Sequence, residues 1–338
     1  MSKTELHTAL YWELTNNKAK CNLCPHYCVL TNGKTGICKV RINIENKLYT
    51  LAFGNLCAAN IDPVEKKPLF HFLPSSKTFS IAINGCNFHC YNCQNWNISQ
   101  SPPENNIGIT TPLQIVNSAI KNNCKSISYT YTEPTIFYEF MLATAKLAKK
   151  YGLKNIMVSN GFINNEPLLE LCKYLDAANI DLKCFDNNVY KKLTGGSLQP
   201  VLETINTLHK NNVWLEITNL IIPEYSNNIT IIKDMCKWLF NNNLSEVPLH
   251  FSRFFPTYKL DELFPTPVHI LEQAMKTAKN EGIAHVYVGN VINNDGENTF
   301  CNNCNKLLIK RIGYNVTEKY IINNKCKYCG KRITGIWD

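Results

Sequence analysis

Three cysteines in one short loop constrain this chain more than any other feature. Cys86, Cys90 and Cys93 directly follow an apolar segment, in the spacing C-x3-C-x2-C. A four-iron, four-sulfur (4Fe-4S) cluster normally takes four Cys thiolates, so three close ligands would leave one iron open to a ligand that is not protein. A structural zinc site has four protein ligands, and this loop also fits one half of such a site, completed by His89 or by a distant residue.

The overall composition indicates a globular protein whose cysteine thiols are reduced. It has 16 cysteines in 338 residues, and 45% of its residues are hydrophobic, enough for a sizeable core. Lys3, Glu5 and His7 stand where a signal peptide needs an apolar segment, and no run approaches the roughly 18 apolar residues of a membrane span. We therefore expect a cytoplasmic protein without a membrane partner. Cytosolic thiols stay reduced, so grouped cysteines there indicate metal binding or catalysis rather than disulfides.

A group of four cysteines near the start of the chain, here called the N-terminal tetrad, can close a metal site by itself. It has the spacing C-x2-C-x3-C-x9-C and consists of Cys21, Cys24, Cys28 and Cys38. His26 could replace one thiolate. We favour structural zinc over a second iron–sulfur cluster at this site, because nothing adjacent in the sequence resembles a substrate pocket.

A second group of four, here called the C-terminal tetrad, has the spacing of a zinc ribbon. Two C-x2-C pairs are separated by 21 residues and consist of Cys301, Cys304, Cys326 and Cys329. The intervening residues 307–311 and 319–322 predict a small β hairpin. A segment of about 42 residues could hardly build a core without a metal, so we predict a second structural zinc ion.

Between the tetrads, apolar strand segments alternate with amphipathic helix segments, the pattern of a parallel sheet with crossover helices. We predict strands at 78–84, 126–131, 155–159, 179–182, 213–220, 249–251 and 285–288. We predict helices at 112–122, 134–151, 166–175, 201–211, 229–240 and 268–280. This pattern indicates an α/β fold with a full or partial (β/α) barrel of about six βα units.

Three predicted domains follow from these patterns. Residues 1–75 would form a Cys-rich metal-binding extension, residues 76–295 the barrel, and residues 296–338 a zinc-ribbon-like domain. Within the extension we predict a short helix over residues 8–14 and a strand over residues 47–53. The charged stretch from Asp62 to Pro68 is bounded by prolines, so it predicts either a linker or a loop over the active site.

Polar residues stand at the carboxyl ends of the predicted strands, where barrels place their active-site groups. They are Glu133, Ser159, Asn160, Asp181, Lys183, Glu216, His250, Arg253 and Asn290. Each of them alone could be a helix cap or a turn residue. Together, at one end of one barrel, they predict a polar cup that faces the three-cysteine loop.

The three-cysteine loop after the first barrel strand resembles the radical S-adenosylmethionine (SAM) superfamily. The strand ends at Glu133-Pro134, 159–161 and 181–183 resemble its pyruvate formate-lyase activating enzyme branch. In that branch two glycines usually precede Glu-Pro, whereas this chain has Tyr131-Thr132.

A more specific resemblance, spanning almost the whole chain, is to the radical SAM component of the AmmeMemoRadiSam system. It is carried by residues 21–28, 62–69, 85–99, 250–256 and 286–290, the C-terminal tetrad, and residues 335–337.

This resemblance implies a chemistry. Cys86, Cys90 and Cys93 would bind a 4Fe-4S cluster with SAM on its open iron. Reductive cleavage of SAM would give methionine and a 5′-deoxyadenosyl radical that abstracts hydrogen from a substrate the sequence does not name. Asp181 and Lys183 are the first candidates for SAM contacts. The further candidates are Glu133, Ser159, Asn160, His250 and Asn290, while Glu216 and Arg253 would face SAM or substrate.

The resemblance also implies partners: an electron donor such as flavodoxin or ferredoxin, and Memo-like and AMMECR1-like proteins. Two other functions stay open at this point. One is an activase that abstracts hydrogen from a glycine of a partner enzyme. The other is a zinc-ribbon protein that binds nucleic acid without SAM chemistry, which the net charge of +9 favours. The basic residues are scattered and form no stripe with interleaved aromatics, so we do not expect nucleic acid as a partner.

Overall fold

The structure is a computed structural model, and it describes residues 6–104, 108–291 and 295–338. Its strands in chain order are β1 His7–Thr8, β2 Trp12–Thr15, β3 Lys18–Cys21, β4 Val29–Leu30, β5 Arg41–Ile44, β6 Lys47–Thr50, β7 Leu56–Pro63, β8 Lys77–Ile83, β9 Ser126–Tyr129, β10 Lys154–Ser159, β11 Ala177–Asp181, β12 Trp214–Ile221, β13 Leu249–Arg253, β14 Val286–Gly289, β15 Thr299–Phe300, β16 Leu307–Ile312, β17 Asn315–Lys319, β18 Ile321–Ile322 and β19 Lys325–Cys326. Its α-helices are α1 Trp96–Ser99, α2 Pro112–Lys121, α3 Tyr138–Lys150, α4 Asn165–Cys172, α5 Asn187–Thr194, α6 Leu198–Lys210, α7 Ile229–Asn241 and α8 Val268–Asn280.

An eight-stranded sheet forms the centre of the molecule, in the order β14-β13-β12-β11-β10-β9-β8-β7. Strands β8 to β14 run parallel, and β7 pairs antiparallel with β8 at one edge. The two edge strands β7 and β14 do not pair with each other in this order, so the barrel is partial. The predicted α/β fold with a partial (β/α) barrel is confirmed.

All seven predicted barrel strands and all six predicted helices are present, with ends shifted by a few residues. The helix predicted from residue 134 begins with a 3-10 turn, Pro134–Phe137, before α3. Helix α5 was not predicted, because Asn187 and Asn188 are weak helix formers. Its ends are instead set by Asp186, whose carboxylate accepts from the backbone N–H of Asn188 and Val189, and by Gly195 in the left-handed conformation.

The two faces of the central sheet differ in chemistry, because successive side chains of a strand point to opposite faces. On β9, Ile127 and Tyr129 belong to the apolar core that includes the helices. The opposite face is polar and buried, with Thr78, Ser126, Ser128, Asn179, Glu216, Thr218 and His250. Such a face cannot be an ordinary hydrophobic interior, so it requires polar partners.

Residues 64–73, here called the covering segment, supply many of those partners. Val64, Leu69 and Phe72 pack in an apolar cluster with Trp214 near the start of β12. Asn179 Nδ2 donates a hydrogen bond of 2.8 Å to the carbonyl of Pro68 in this segment. The charged stretch 62–68 is therefore not a flexible linker. It ends edge strand β7, where the missing N–H of a proline is tolerated, and then crosses the polar face.

The residues before β7 form small antiparallel sheets, β1-β6-β5 and β2-β3-β4. The helix predicted over residues 8–14 is wrong, because β1 pairs with Thr50 and Tyr49, and β2 pairs with β3. Tyr11, with φ of 53°, stands between β1 and β2 and breaks the helical path. The predicted strand over 47–53 is present as β6.

Residues 296–338, here called the ribbon, form the sheet β15-β16-β17 and the short pair β18-β19. The predicted hairpin between 307–311 and 319–322 is present in part: β16 pairs with β17, including Ile309 with Lys319, whereas Ile321 and Ile322 pair with β19. This segment docks on the covering segment. Arg311 Nη2 donates to the carbonyl of Phe70 at 2.8 Å, and backbone hydrogen bonds of 2.8 and 2.7 Å join Ile336 to His71 and Leu73.

Among the described residues, the helices are too short or too polar for any of them to cross a lipid bilayer.

Candidate active site

The three-cysteine loop leaves the carboxyl end of β8 and is held by the end of α5. The backbone N–H groups of His89 and Tyr91 donate to the carbonyls of Thr194 and Leu193 at 2.8 and 3.0 Å. Gly85, just before Cys86, has φ of +110°, which glycine adopts without strain. Helix α5, missed from the sequence, therefore fixes the path of the loop.

The loop thiols lie among protein donors in a desolvated environment. Cys86 Sγ accepts from the N–H of Phe88 at 3.3 Å, and Cys93 Sγ lies 3.2 Å from Ser99 Oγ. Burial raises the pKa of Cys86 well above its ordinary value and that of Cys90 to about 12. Because bound metal deprotonates a coordinating thiol, the raised pKa values of Cys86 and Cys90 fit thiols that become charged only when metal binds.

The structure disfavours the alternative in which the loop is half of a zinc site. His89, the nearest possible fourth ligand, lies with Nδ1 2.6 Å from Gln100 Oε1. Among the residues that the structure describes, only the C-terminal tetrad brings three or more His, Cys, Asp or Glu ligand atoms within 4.8 Å of one another. The loop thiols are thus too far apart for one shared ion, whereas a multi-iron cluster separates its ligands more widely.

Three predicted site residues meet beside the loop. Glu133 is buried, and its carboxylate accepts from Ser159 Oγ at 2.7 Å and from the N–H of Asn160 at 2.8 Å. Asn160 in turn donates to Asn87 Oδ1 at 2.8 Å, and its Nδ2 lies 4.0 Å from Cys86 Sγ. Glu133 and Ser159 therefore position the turn after β10, and Asn160 is the member that reaches the loop.

Asp181 and Lys183 approach the other side of the loop from the end of β11. Their side chains form an ion pair of 2.6 Å and are partly exposed. Burial by itself lowers the pKa of Lys183, but the Asp181 carboxylate and the Cys90 and Cys93 sulfurs raise it on balance. Lys183 is thus a permanent positive charge near two of the loop thiols.

Glu216 and His250 are paired with each other farther from the loop. Glu216 Oε2 lies 2.6 Å from His250 Nε2, and the Glu216 carboxylate accepts from the backbone N–H groups of Phe70 and His71 at 2.9 and 2.8 Å. This buried carboxylate anchors the covering segment on β12 and β13.

Asn290 and Arg253 stand at the end of the sheet near β14. Asn290 Nδ2 donates to Ser252 Oγ at 2.9 Å. Arg253 Nε donates to the carbonyl of Thr266 at 2.8 Å, and its guanidinium lies 5.0 Å from the Phe255 ring centre. The Arg253 side chain therefore contacts Thr266 and Phe255, whereas Asn290 lines the adjoining cavity.

A cavity of about 950 Å³ opens at the carboxyl ends of β12 to β14. Its wall comprises Gln94 next to the loop, Thr218 of β12, His250 of β13, Asn290 directly after β14, Lys66 and Phe70 from the covering segment, and residues 310–314 from the ribbon. This size is typical of a small-molecule site. The cavity thus connects the three-cysteine loop to the covering segment and the ribbon.

Sequence reasoning missed several residues of the site. Asn87 joins Asn160 to the loop and donates to the carbonyl of Phe162 at 2.8 Å. Gln94 and the ribbon residues Lys310 and Arg311 line the cavity. The position of Asn87 between two cysteine ligands was an available signal, whereas the ribbon turn comes from a distant part of the chain and gave none.

The C-terminal tetrad has the geometry of a site for one ion. Cys301 Sγ lies 3.7 Å from Cys329 Sγ, and Cys304 Sγ lies 3.8 Å from Cys326 Sγ. The backbone N–H of Lys331 and the side chain of Asn303 lower the pKa of Cys329 to about 6. These four residues could hold a metal ion.

Comparison with known proteins shows which domain the chain resembles. The sequence profile of the radical SAM superfamily matches residues 80–238. The chain is 45% identical over 332 residues to the uncharacterized protein MJ0808 of Methanocaldococcus jannaschii, covering 97% of this chain and 99% of that protein. Residues 80–238 thus match a radical SAM domain.

Part of the chain has a more distant similarity to an activating enzyme. It is 26% identical over 170 residues to the 4-hydroxyphenylacetate decarboxylase activating enzyme of Clostridium scatologenes, covering 49% of this chain and 54% of that one. It thus spans about half the length of that relative.

A solved structure shows the shared fold. It is Streptococcus suis SuiB bound to S-adenosylmethionine, at a TM-score of 0.51 and 12% identity, over 71% of this chain and 56% of that chain.

Proposed function

We propose that this chain cleaves SAM reductively and uses the resulting radical to abstract hydrogen from a substrate bound in the strand-end cavity. The observation that carries the proposal is the position of Cys86, Cys90 and Cys93, whose loop continues into the cavity wall at Gln94. A cluster with an open iron needs space for a further ligand beside it, and this cavity begins at the residue that follows the third cysteine.

The donor set fits the cofactors of the superfamily. Cys86, Cys90 and Cys93 would hold the 4Fe-4S cluster. When bound and reduced, this cluster supplies an electron to the SAM sulfonium, which splits SAM into methionine and a 5′-deoxyadenosyl radical. Ionic side chains alone cannot break an unactivated C–H bond. The chain's own residues therefore serve to bind and orient the cluster, SAM and the substrate.

The chain's residues then have distinct roles. Lys183, paired with Asp181, presents a cation beside the loop that suits the carboxylate of SAM. Asn160 offers an amide next to Cys86, while Glu133 holds Asn160 in place through its backbone. The covering segment and the ribbon turn form further parts of the cavity wall.

The wider setting of the reaction is also part of the proposal. The resemblance to the AmmeMemoRadiSam component supports membership in that system, with Memo-like and AMMECR1-like partners and a flavodoxin or ferredoxin as donor. A second candidate, which similarity to an activating enzyme favours, is hydrogen abstraction from a glycine of a partner enzyme.

The test is anaerobic reconstitution with iron and sulfide, followed by dithionite and SAM. The wild-type chain should form 5′-deoxyadenosine, and Cys90→Ala should form none because it lacks one of the three loop ligands. Cys172→Ala, a partly buried cysteine outside the three groups, is the matched control and should keep full activity. Equal 5′-deoxyadenosine from wild type and Cys90→Ala would reject the proposal.

A further inference from the structure

The N-terminal tetrad differs from the C-terminal tetrad in the separation of its thiols. A Zn–S bond of about 2.3 Å places thiolates about 3.8 Å apart around a tetrahedral zinc ion. The C-terminal thiols match this at 3.7 and 3.8 Å. In contrast, no three of the N-terminal thiols lie within 4.8 Å of one another, although all four cysteines are among the described residues.

The N-terminal thiols surround a space rather than a point. Cys21, Cys24, Cys28 and Cys38 line one cavity of about 20 Å³. The rest of the wall is mainly apolar and includes Leu23, Leu30, Ile37 and Ile136. The four cysteines therefore line one shared cavity with little polar wall apart from their thiols, which suits a weakly hydrated group held by thiolates.

A buried positive charge stands beside these thiols. Arg41 Nη1 lies 3.7 Å from Cys21 Sγ and also donates to the carbonyl of Leu10 at 2.6 Å. The same guanidinium forms a buried ion pair with Glu139. A donor of this kind stabilises the negative charge of a thiolate-ligated centre.

We propose that the N-terminal tetrad binds a second 4Fe-4S cluster, in place of the zinc ion that the sequence led us to expect. With four cysteine ligands, every iron of this cluster has a protein ligand. It therefore has no open corner for a substrate, and its chemistry is electron transfer.

The second site packs directly against the three-cysteine loop. A Cβ at Gly85 would lie 2.7 Å from the carbonyl oxygen of Cys38, so only glycine allows the two segments this close. His26 Nε2 lies 2.7 Å from the carbonyl oxygen of Asn87, and both residues line the cavity of the tetrad. Asn87 is also hydrogen-bonded to Asn160, which lies beside Cys86.

This contact gives the second cluster a role. It accepts one electron from a low-potential one-electron donor and passes one electron to the loop cluster, with no bond made or broken. The role rests on the function proposed above, whereas the presence of the second cluster does not.

The test is the metal content of the full chain after anaerobic reconstitution with iron, sulfide and zinc together. The proposal predicts about eight iron, about eight sulfide and about one zinc per chain. Zinc in the N-terminal tetrad would instead give about four iron and about two zinc per chain, and that result would overturn the proposal.

Cys90→Ala sharpens the test, because it leaves the N-terminal tetrad intact. It should retain about four iron per chain and an electron paramagnetic resonance signal of a reduced 4Fe-4S cluster. Retention of about two zinc and no iron would reject the second cluster. Cys28→Ala should remove the iron of the N-terminal tetrad, and Cys304→Ala, the matched control, should lose zinc only. A chain with about eight iron that forms no 5′-deoxyadenosine would keep this inference and reject the proposed function.

Discussion

The N-terminal and C-terminal tetrads each present four cysteine thiols, yet the chain surrounds them differently. The N-terminal tetrad belongs to the main apolar core and faces the three-cysteine loop. The C-terminal tetrad belongs to a small cluster of its own, and one of its ligands, Cys329, is exposed. Its thiols are close enough for one ion, whereas those of the N-terminal tetrad surround a cavity. The number of cysteines thus predicts a metal site, while the packing around them selects the group that it can hold.

The largest effect should come from preventing metal binding at the C-terminal tetrad, which we propose holds zinc. Structural zinc contributes on the order of 10 kcal/mol to the folding of small zinc domains. The apolar cluster of the ribbon is small, so Cys304→Ala should unfold residues 296–338 while the barrel keeps its iron. Hydrogen exchange and limited proteolysis would measure this. Full protection of the ribbon in metal-free Cys304→Ala protein would instead show that docking on the covering segment is enough to keep residues 296–338 folded without a metal.

The next effect concerns the ion pair beside the N-terminal tetrad. Arg41 and Glu139 are both buried, and removing one partner of such a pair costs about 3–5 kcal/mol because a charge stays buried without its counterion. Arg41→Met should lower the free energy of unfolding by that amount in a urea titration.

The ribbon offers the matched control for that pair. Lys310 and Glu318 form an ion pair of 3.2 Å between partly exposed side chains. Exposed pairs contribute little to stability, so Lys310→Met should leave the urea midpoint almost unchanged. Equal losses for the two variants would show that burial does not distinguish the surroundings of the two tetrads.

Much of the fold could be predicted from the sequence, because the barrel strands and helices carry strong periodic patterns. The parallel strands are apolar over several residues, and helices such as α8 have one apolar face, so tertiary packing agrees with local preference. Strands β1 and β2 were missed because their structure depends on pairing with β6 and β3. Short edge elements of this kind have too few residues for a periodic signal.

The site could be predicted in part for a similar reason. The cysteine groups and the polar strand ends are visible as residue types, but their distances are not. The sequence alone could not show that Glu216 binds the covering segment, or that Asn160 rather than Glu133 reaches the loop.

Tyr131 shows what a departure from a family pattern can mean. It has φ of 66°, in the left-handed region that favours glycine, at a position where the activating-enzyme branch usually has one. Two hydrogen bonds hold this residue in place: its side-chain hydroxyl donates to Asp62, and Asn95 Nδ2 donates to its backbone carbonyl at 2.7 Å. The backbone conformation expected from glycine is therefore present without the glycine.

The smallest expected effect is the difference in stability loss between alanine substitutions at two glycines, one beside each tetrad. Gly330 follows Cys329, has φ of +74°, and has open space where a Cβ would stand. Gly330→Ala should lower the free energy of unfolding by about 1–2 kcal/mol, because alanine is strained in the left-handed conformation. Gly85 has φ of +110°, and its added Cβ would also lie 2.6 Å from Val40 Cγ2 and 2.7 Å from the Cys38 carbonyl oxygen. Gly85→Ala should therefore cost about 1–3 kcal/mol more, from overpacking.

The two glycine substitutions should also differ in their effect on the electron paramagnetic resonance signals of the iron sites. Gly85→Ala pushes the segment of Cys38 away from the segment of Cys86, so the signals of both iron sites should change together. Gly330→Ala touches neither segment and should leave both signals as in the wild type. Urea titration and electron paramagnetic resonance of the two variants provide the measurements. If Gly85→Ala altered the signal of the loop cluster alone, the two iron sites would not share the close contact at Gly85, and the electron path through that contact would be wrong.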